Sequence, residues 1–197
     1  MIMKTGDLIF TQIGSSVNAI SSVTEGFKGA RVNHVGVVVE NSFGIYVLEA
    51  YYPEVRLTNI KTHIRRSKDN NNNPRYMLGR LRTEYHQLIP TAIEHGLNQR
   101  NLPYDHLYLT GESALYCSEL VVDMFKSANS GVEFFTENPM SFRDTETGEI
   151  HAQWISYYKY FGMKVPELEP GSNPGDLSKD SRIHVYDIEG DISGYKP

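Results

Sequence analysis

The chain has a single cysteine, Cys117, in the run Leu115-Tyr116-Cys117-Ser118-Glu119-Leu120-Val121, where a helix-like apolar pattern begins. Two further reactive residues lie upstream. His34 stands in Val32-Asn33-His34-Val35-Gly36-Val37-Val38-Val39, and Glu49 in Ile45-Tyr46-Val47-Leu48-Glu49-Ala50. A thiol, an imidazole and a carboxylate are the parts of a thiol hydrolase. An unassisted thiol is largely protonated near neutral pH and needs help to act as a nucleophile. A helix start supplies unpaired amide hydrogens and the positive end of the dipole, both favouring the anion. An adjacent His34 would complete a thiolate–imidazolium pair, and Glu49 would hold the ring tautomer. Backbone amides near Cys117 would receive the oxyanion of an acyl intermediate. The reaction such parts serve is acyl transfer through a thioester.

Each residue also has a plainer reading. A lone cysteine ahead of an amphipathic helix is often a small buried hydrophobe, and a lone histidine in a strand is commonly structural. Local geometry links two of the three. Residues 32–40 are rich in β-branched side chains and read as a strand. Asn41-Ser42-Phe43-Gly44 reads as a turn, and residues 45–50 as the returning strand. Pairing Glu40 with Ile45 places Glu49 opposite Gly36, with His34 two residues along on the same face. Their Cβ atoms would then lie about 6–8 Å apart, within reach of long side chains. Gly36 leaves space on that face. Val35, Val37, Val39, Tyr46, Leu48 and Ala50 form an apolar stripe on the other. A one-residue slip would bury Glu49 among the valines at several kcal/mol.

The remaining elements must carry these residues. Leu8–Thr11 reads as a short strand after a Gly6-Asp7 turn, and Tyr76–Leu81 as another. Val17, Ile20 and Val23, at spacing three, predict a short helix. A helix over 85–97 is predicted from Leu88, Ile89, Ala92, Ile93 and Leu97, with Pro90 in its first turn. Leu120, Val121, Met124, Phe125 and Ala128 predict the helix that begins at Cys117, with Gly131 just beyond its end. Residues 68–74, with four consecutive asparagines, read as an exposed loop, and the basic stretch Lys61–Lys68 as a solvated loop flank. Residues 134–149 look irregular. Trp154, Tyr157, Tyr158 and Phe161 pack a segment on the body, and Val165–Pro174 crosses the surface. Ile183, Val185 and Tyr186 supply a last edge strand. Short strands beside two amphipathic helices make the class α+β with an antiparallel sheet.

At 197 residues the chain is expected to form one catalytic domain over 1–197, with a core about 4–165 and a C-terminal extension 166–197 packed on it. A formal net charge of −5, with no interleaving of basic and aromatic residues, argues against nucleic-acid binding. One cysteine excludes an intrachain disulfide framework and any multi-cysteine metal site. The histidines other than His34 lack the HxxxH or HExxH spacing of a metal site, so neither metal nor cofactor is expected. No apolar run approaches the ~18 residues of a membrane span. Met1-Ile2-Met3-Lys4 leads almost at once into Gly6-Asp7, which leaves no room for a signal peptide as written. Location therefore stays open: cytoplasmic as written, periplasmic or secreted if a leader has been removed.

Five short motifs occur in order: Gly6-Asp7-Leu8-Ile9-Phe10, Asn33-His34-Val35-Gly36-Val37-Val38, Leu48-Glu49-Ala50, Pro103-Tyr104-Asp105 and Tyr116-Cys117-Ser118-Glu119-Leu120-Val121. Together they resemble the YiiX/YebB-like cysteine hydrolases, circularly permuted papain-like members of the NlpC superfamily in which histidine precedes cysteine. The segment Val165–Gly171 with Pro174 adds to the likeness, which spans roughly residues 4 to 180. The resemblance implies a papain-like α+β domain with a small antiparallel sheet, or open barrel, packed on the cysteine helix. It assigns the nucleophile to Cys117, the acid–base to His34 and the orienting acid to Glu49. It also implies an amide hydrolase acting on a small peptide, an amino-acid amide or a cell-wall fragment. Related permuted families act on lipid acyl groups, so an acyltransferase or lipid hydrolase is an alternative, as is a non-catalytic binding module. Tyr116, Tyr51, Asp7, Gly36 and Tyr104, all near the motifs, are the candidates for substrate contact. Asp7 and Asp105 have loop fixing as the competing role.

Overall fold

The computed structural model describes residues 2–14, 19–111, 113–144 and 146–197. Strand β1 (Leu8–Thr11) leaves a turn in which Gly6 has φ +91°. A side chain there would be strained and would strike Ile89. A short helix α1 spans Ala19–Val23; Val17, expected to share its apolar face, lies outside the described residues. Strands β2 (His34–Asn41) and β3 (Gly44–Tyr51) form the expected hairpin. Glu40 pairs with Ile45 and Val37 with Leu48, so the register is the one the alternation requires.

Two elements after this hairpin depart from expectation. Strand β4 (Glu54–Asn59) pairs antiparallel with β3 along its whole length. It leads directly into helix α2 (Ile60–Arg65), which starts where the Asn59 side chain accepts from the Lys61 amide. The basic stretch is therefore no solvated flank. Ile60, His63, Ile64 and Ser67 recur at three and four, and that face turns to the sheet, with His63 and Ser67 fully buried.

Strand β5 (Tyr76–Leu81) follows the asparagine loop. The helix expected over 85–97 divides into a 3-10 segment (Thr83–Leu88) and helix α3 (Ile89–Asn98), with Pro90 in the first turn of α3. Proline offers no amide, which costs nothing in a first turn, so the regular helix starts there. Helix α4 runs from Cys117 to Ala128. A two-residue strand β6 (Asn138–Pro139), helix α5 (Ala152–Tyr160), strand β7 (Pro170–Gly171), helix α6 (Pro174–Lys179) and strand β8 (Ile183–Glu189) complete the elements. β6 pairs with β7, which ties the surface-crossing segment down.

The main sheet is antiparallel throughout, in the order β4-β3-β2-β1-β5-β8. One face carries Val35, Val37, Val39, Leu48 and Ala50 against Leu120, Val121, Met124 and Phe125 of α4. Fully burying one such side chain stabilises the fold by roughly 1.5–3 kcal/mol. The opposite face holds Val38 and Val47 against Ile60 and Ile64 of α2. His34 and Glu49 share the parity of Val38 and Val47, so they lie on the face that α2 covers. The C-terminal residues join the core too, through Leu177, Ile183 and Ile192.

Candidate active site

His34 opens β2 at the end of the sheet, and helix α4 brings its first residue, Cys117, to the same end. Both are buried, His34 at 5% and Cys117 at 6% exposure. His34 Nε2 lies 2.6 Å from Glu49 Oε2. That leaves Nδ1 on the side of Cys117, which is near enough to act on the ring. Burial alone would lower the imidazole pKa, but the bonds to Cys117 and Glu49, and their charges, raise it from 6.5 to about 9. The structure thus brings all three sequence-identified residues together, with His34 bonded to Glu49 and close to Cys117.

Glu49 is completely buried. Its position depends on Gly36, where a Cβ would come within 2.4 Å of Val47 Cγ1 and 3.2 Å of Glu49 Cβ. Burial would push the carboxyl group up. The bonds from His34 and His63 instead hold it well below the usual carboxylate range. His63 Nδ1 approaches Oε2 at 2.9 Å, and the Arg66 guanidinium donates to Oε1. Neither residue was identified from sequence, because charged Lys61–Lys68 reads as solvated. The signal that could have found them is the helical spacing of Ile60, His63 and Ile64.

An apolar pocket opens beside Cys117, walled by Tyr104, Tyr108, Tyr116, Met140, Phe142 and Trp154. Its walls are held by specific bonds. Asp105 accepts from the Leu107 and Leu109 amides at 2.7 and 2.8 Å, fixing the loop that presents Tyr108. Tyr158 of α5 donates to the Leu107 carbonyl, and Tyr116 accepts from the Ser172 amide at 3.0 Å. Glu119 accepts from the Tyr116 and Gly111 amides and so anchors the start of α4.

Of the five residues expected to touch substrate, Tyr116 and Tyr104 line this cavity; Tyr51, Gly36 and Asp7 do not. Tyr51 sets its ring edge-on to His34 at 5.6 Å and takes the Arg66 guanidinium on its face at 4.0 Å. Gly36 is enclosed by β3. Asp7 is bound by Arg80 at 2.7 Å and by the Tyr186 hydroxyl at 2.7 Å, which commits its carboxylate to joining β1, β5 and β8.

An antiparallel sheet carrying histidine, packed on a later helix that begins with cysteine, is the architecture of a permuted papain-like enzyme. The family of permuted papain-like amidase enzymes, YaeF/YiiX (C92), has a profile that matches residues 2–182, and the chain belongs to it. It is therefore a member of a cysteine-hydrolase family. The crystal structure of metalloprotein yiiX from Escherichia coli O157:H7 superposes with a TM-score of 0.74 at 21% identity. The match covers 94% of this chain and 97% of that one. No curated protein matches the chain. Among the described residues, no helix is long and apolar enough to cross a membrane.

Proposed function

We propose that this protein hydrolyses amide bonds whose acyl portion is apolar, with Cys117 as nucleophile, His34 as acid–base and Glu49 as orienting acid. The observation that carries this reading is buried His34, bonded through Nε2 to Glu49 and close to Cys117, which lines an apolar cavity. The Cys117 sulfur attacks the carbonyl carbon, and the C–S bond forms as the carbonyl π electrons move to oxygen. The Cys117 amide at the start of α4 faces that oxyanion. Ser118 Oγ, buried on the cavity wall with no hydrogen-bond partner among the described residues, offers a second donor. The His34 imidazolium gives its proton to the leaving amine as the C–N bond breaks. Water then attacks the thioester, His34 takes its proton, and the thiolate departs. A free peptide or a cell-wall fragment with an apolar residue on the acyl side meets these requirements.

A second reading has its own support in the cavity, whose aromatic and thioether walls suit a lipid acyl chain as well as an apolar side chain. Then an amine or alcohol would replace water in the second step.

The structurally similar yiiX protein of Escherichia coli O157:H7 is described as a metalloprotein. In this chain the ligand-type atoms of His34, Glu49 and His63 lie within 4.8 Å of one another. A metal ion fits them poorly. The Arg66 guanidinium already bonds Glu49 and lies 3.0 Å from His63 Nδ1, so a cation would meet a cation.

The test is a mass-spectrometric screen of N-acyl amides and short peptides of graded acyl apolarity, run with and without chelator and an acceptor amine. Hydrolysis favouring apolar acyl groups, unchanged by chelator and passing through an acyl adduct on Cys117, is expected. Transfer to the amine in preference to water would select the second reading. Activity lost on chelation and restored by metal would overturn both.

A further inference from the structure

The Glu49 carboxylate receives more than His34. His63 of α2, fully buried, directs Nδ1 to Oε2, while Arg66, just past α2, covers Oε1 and also stacks on Tyr51. We propose that His63 and Arg66 are positioning residues, which clamp both oxygens of Glu49 and offset part of its charge so that His34 is oriented yet free to release its proton. This rests on the thiol-hydrolase reading of Cys117, His34 and Glu49.

A carboxylate on a β-strand can rotate about its last bond. With one oxygen shared by two imidazoles and the other held by a guanidinium, Glu49 has a single orientation, and His34 inherits it. The charges that face this group are few. Glu49 meets His34 from β2, His63 from α2 and Arg66; His34 in turn meets Cys117 from α4 and the edge of Tyr51. His63 lies under opposed influences. Burial comes first among those that lower its pKa, joined by the like charges of His34 and Arg66, and they outweigh the bond to Glu49. His63 Nδ1 lies 2.9 Å from Glu49 Oε2 and 3.0 Å from Arg66 Nη2. The proposed role has a neutral His63 carry its proton on Nδ1 so that it donates to Glu49. That leaves Nε2 a bare lone pair, and this is the ring atom that is buried without a hydrogen-bond partner among the described residues. An unpaired acceptor there is tolerated better than an unpaired N–H would be.

Arg66 acts by charge as well as by geometry. An unopposed Glu49 anion would hold the imidazolium proton tightly and slow its delivery to a leaving amine. The guanidinium weakens that hold. Removing it should therefore raise the His34 titration, by about half a unit to one unit. Removing the His63 donor should instead loosen Glu49 and slow the reaction of Cys117, by roughly tenfold.

The experiment needs no substrate. The His34 ring is titrated by NMR in the full chain and assigned with His34→Gln, and the rate of Cys117 alkylation by iodoacetamide is read by intact mass. Arg66→Gln is expected to move the His34 titration upward and Arg66→Lys to restore it. His63→Leu is expected to slow alkylation and His63→Asn, whose amide can replace Nδ1–H, to recover it. Circular-dichroism melts confirm that each variant is folded, and the two conservative variants stand in if a more drastic one is not. Lower melting temperatures with the titration and alkylation unmoved would make both residues merely structural and overturn the proposal. If wild-type His34 titrates near its ordinary 6.5 and Cys117 reacts as fast in His34→Gln, the paired thiol itself fails, and the proposal falls with it.

Discussion

Cys117→Ala is expected to lower amide hydrolysis by at least about 10³-fold, since loss of the nucleophile leaves only binding and oxyanion stabilisation. The fold should survive, because the change removes one sulfur atom at the end of a helix whose packing is carried by Leu120, Val121, Met124 and Phe125. The substitution should also be visible in His34. Its folded-state pKa of about 9 depends on the bond and charge of Cys117 as well as on Glu49, so the variant should titrate lower. Because the folded value exceeds the ordinary 6.5, the wild type gains stability that is complete below pH 6.5 and is lost as pH rises through about 9. The whole shift corresponds to roughly 3 kcal/mol, since one pKa unit is worth about 1.4 kcal/mol. The melting-temperature gap between wild type and Cys117→Ala should therefore be widest in mild acid and close above pH 9. A gap independent of pH would mean that the thiol and imidazole are not coupled.

Glu49→Gln should be the more damaging change to the fold. The carboxylate is fully buried and answers three groups, so its removal strands the Arg66 guanidinium without a counter-charge and leaves the His34 imidazolium only Cys117. Breaking a buried ionic cluster from one side typically costs about 3–5 kcal/mol. Activity should fall by about 10²–10⁴-fold, because the His34 ring loses its fixed tautomer. The pH dependence has the opposite sense to that of His34. Burial opposes ionisation of Glu49, but the two imidazole bonds hold its pKa far below the ordinary 4.5. Its stabilisation is thus present above pH 4.5 and is lost as the pH falls below that towards the folded value. Thermal melts from neutral pH into acid should show the wild type falling towards the variant. If the two curves stayed parallel, Glu49 would not be ionised in the folded protein.

The hairpin that holds His34 and Glu49 was legible because its alternation leaves only one register that keeps the carboxylate off the apolar face. The start of α4 was legible from the apolar spacing after Cys117. What sequence could not supply was the burial of α2. Lys61, Arg65 and Lys68 are exposed and dominate the composition of that stretch, while His63 and Arg66 turn inwards only because β4 delivers α2 onto the sheet. β4 itself carried a signal in the alternation of Val55 and Leu57, which is short and interleaved with charge. The cavity was less legible still. Its wall draws on residues from Ile20 to Pro174, and their convergence depends on loop bonds such as those of Asp105, which no periodicity encodes.

The cavity wall has a spectroscopic consequence. Trp154 is the chain's one tryptophan, and its ring meets those of Tyr108, Phe142 and Tyr157 edge to face. Selective excitation of indole therefore reports from a single place, the wall of the chamber beside Cys117. A compound that enters it changes the polarity around that indole whether or not it is ever turned over. Emission from the unlabelled protein can thus rank occupants by affinity before any bond is cut, separating what the chamber admits from what the thiol transforms.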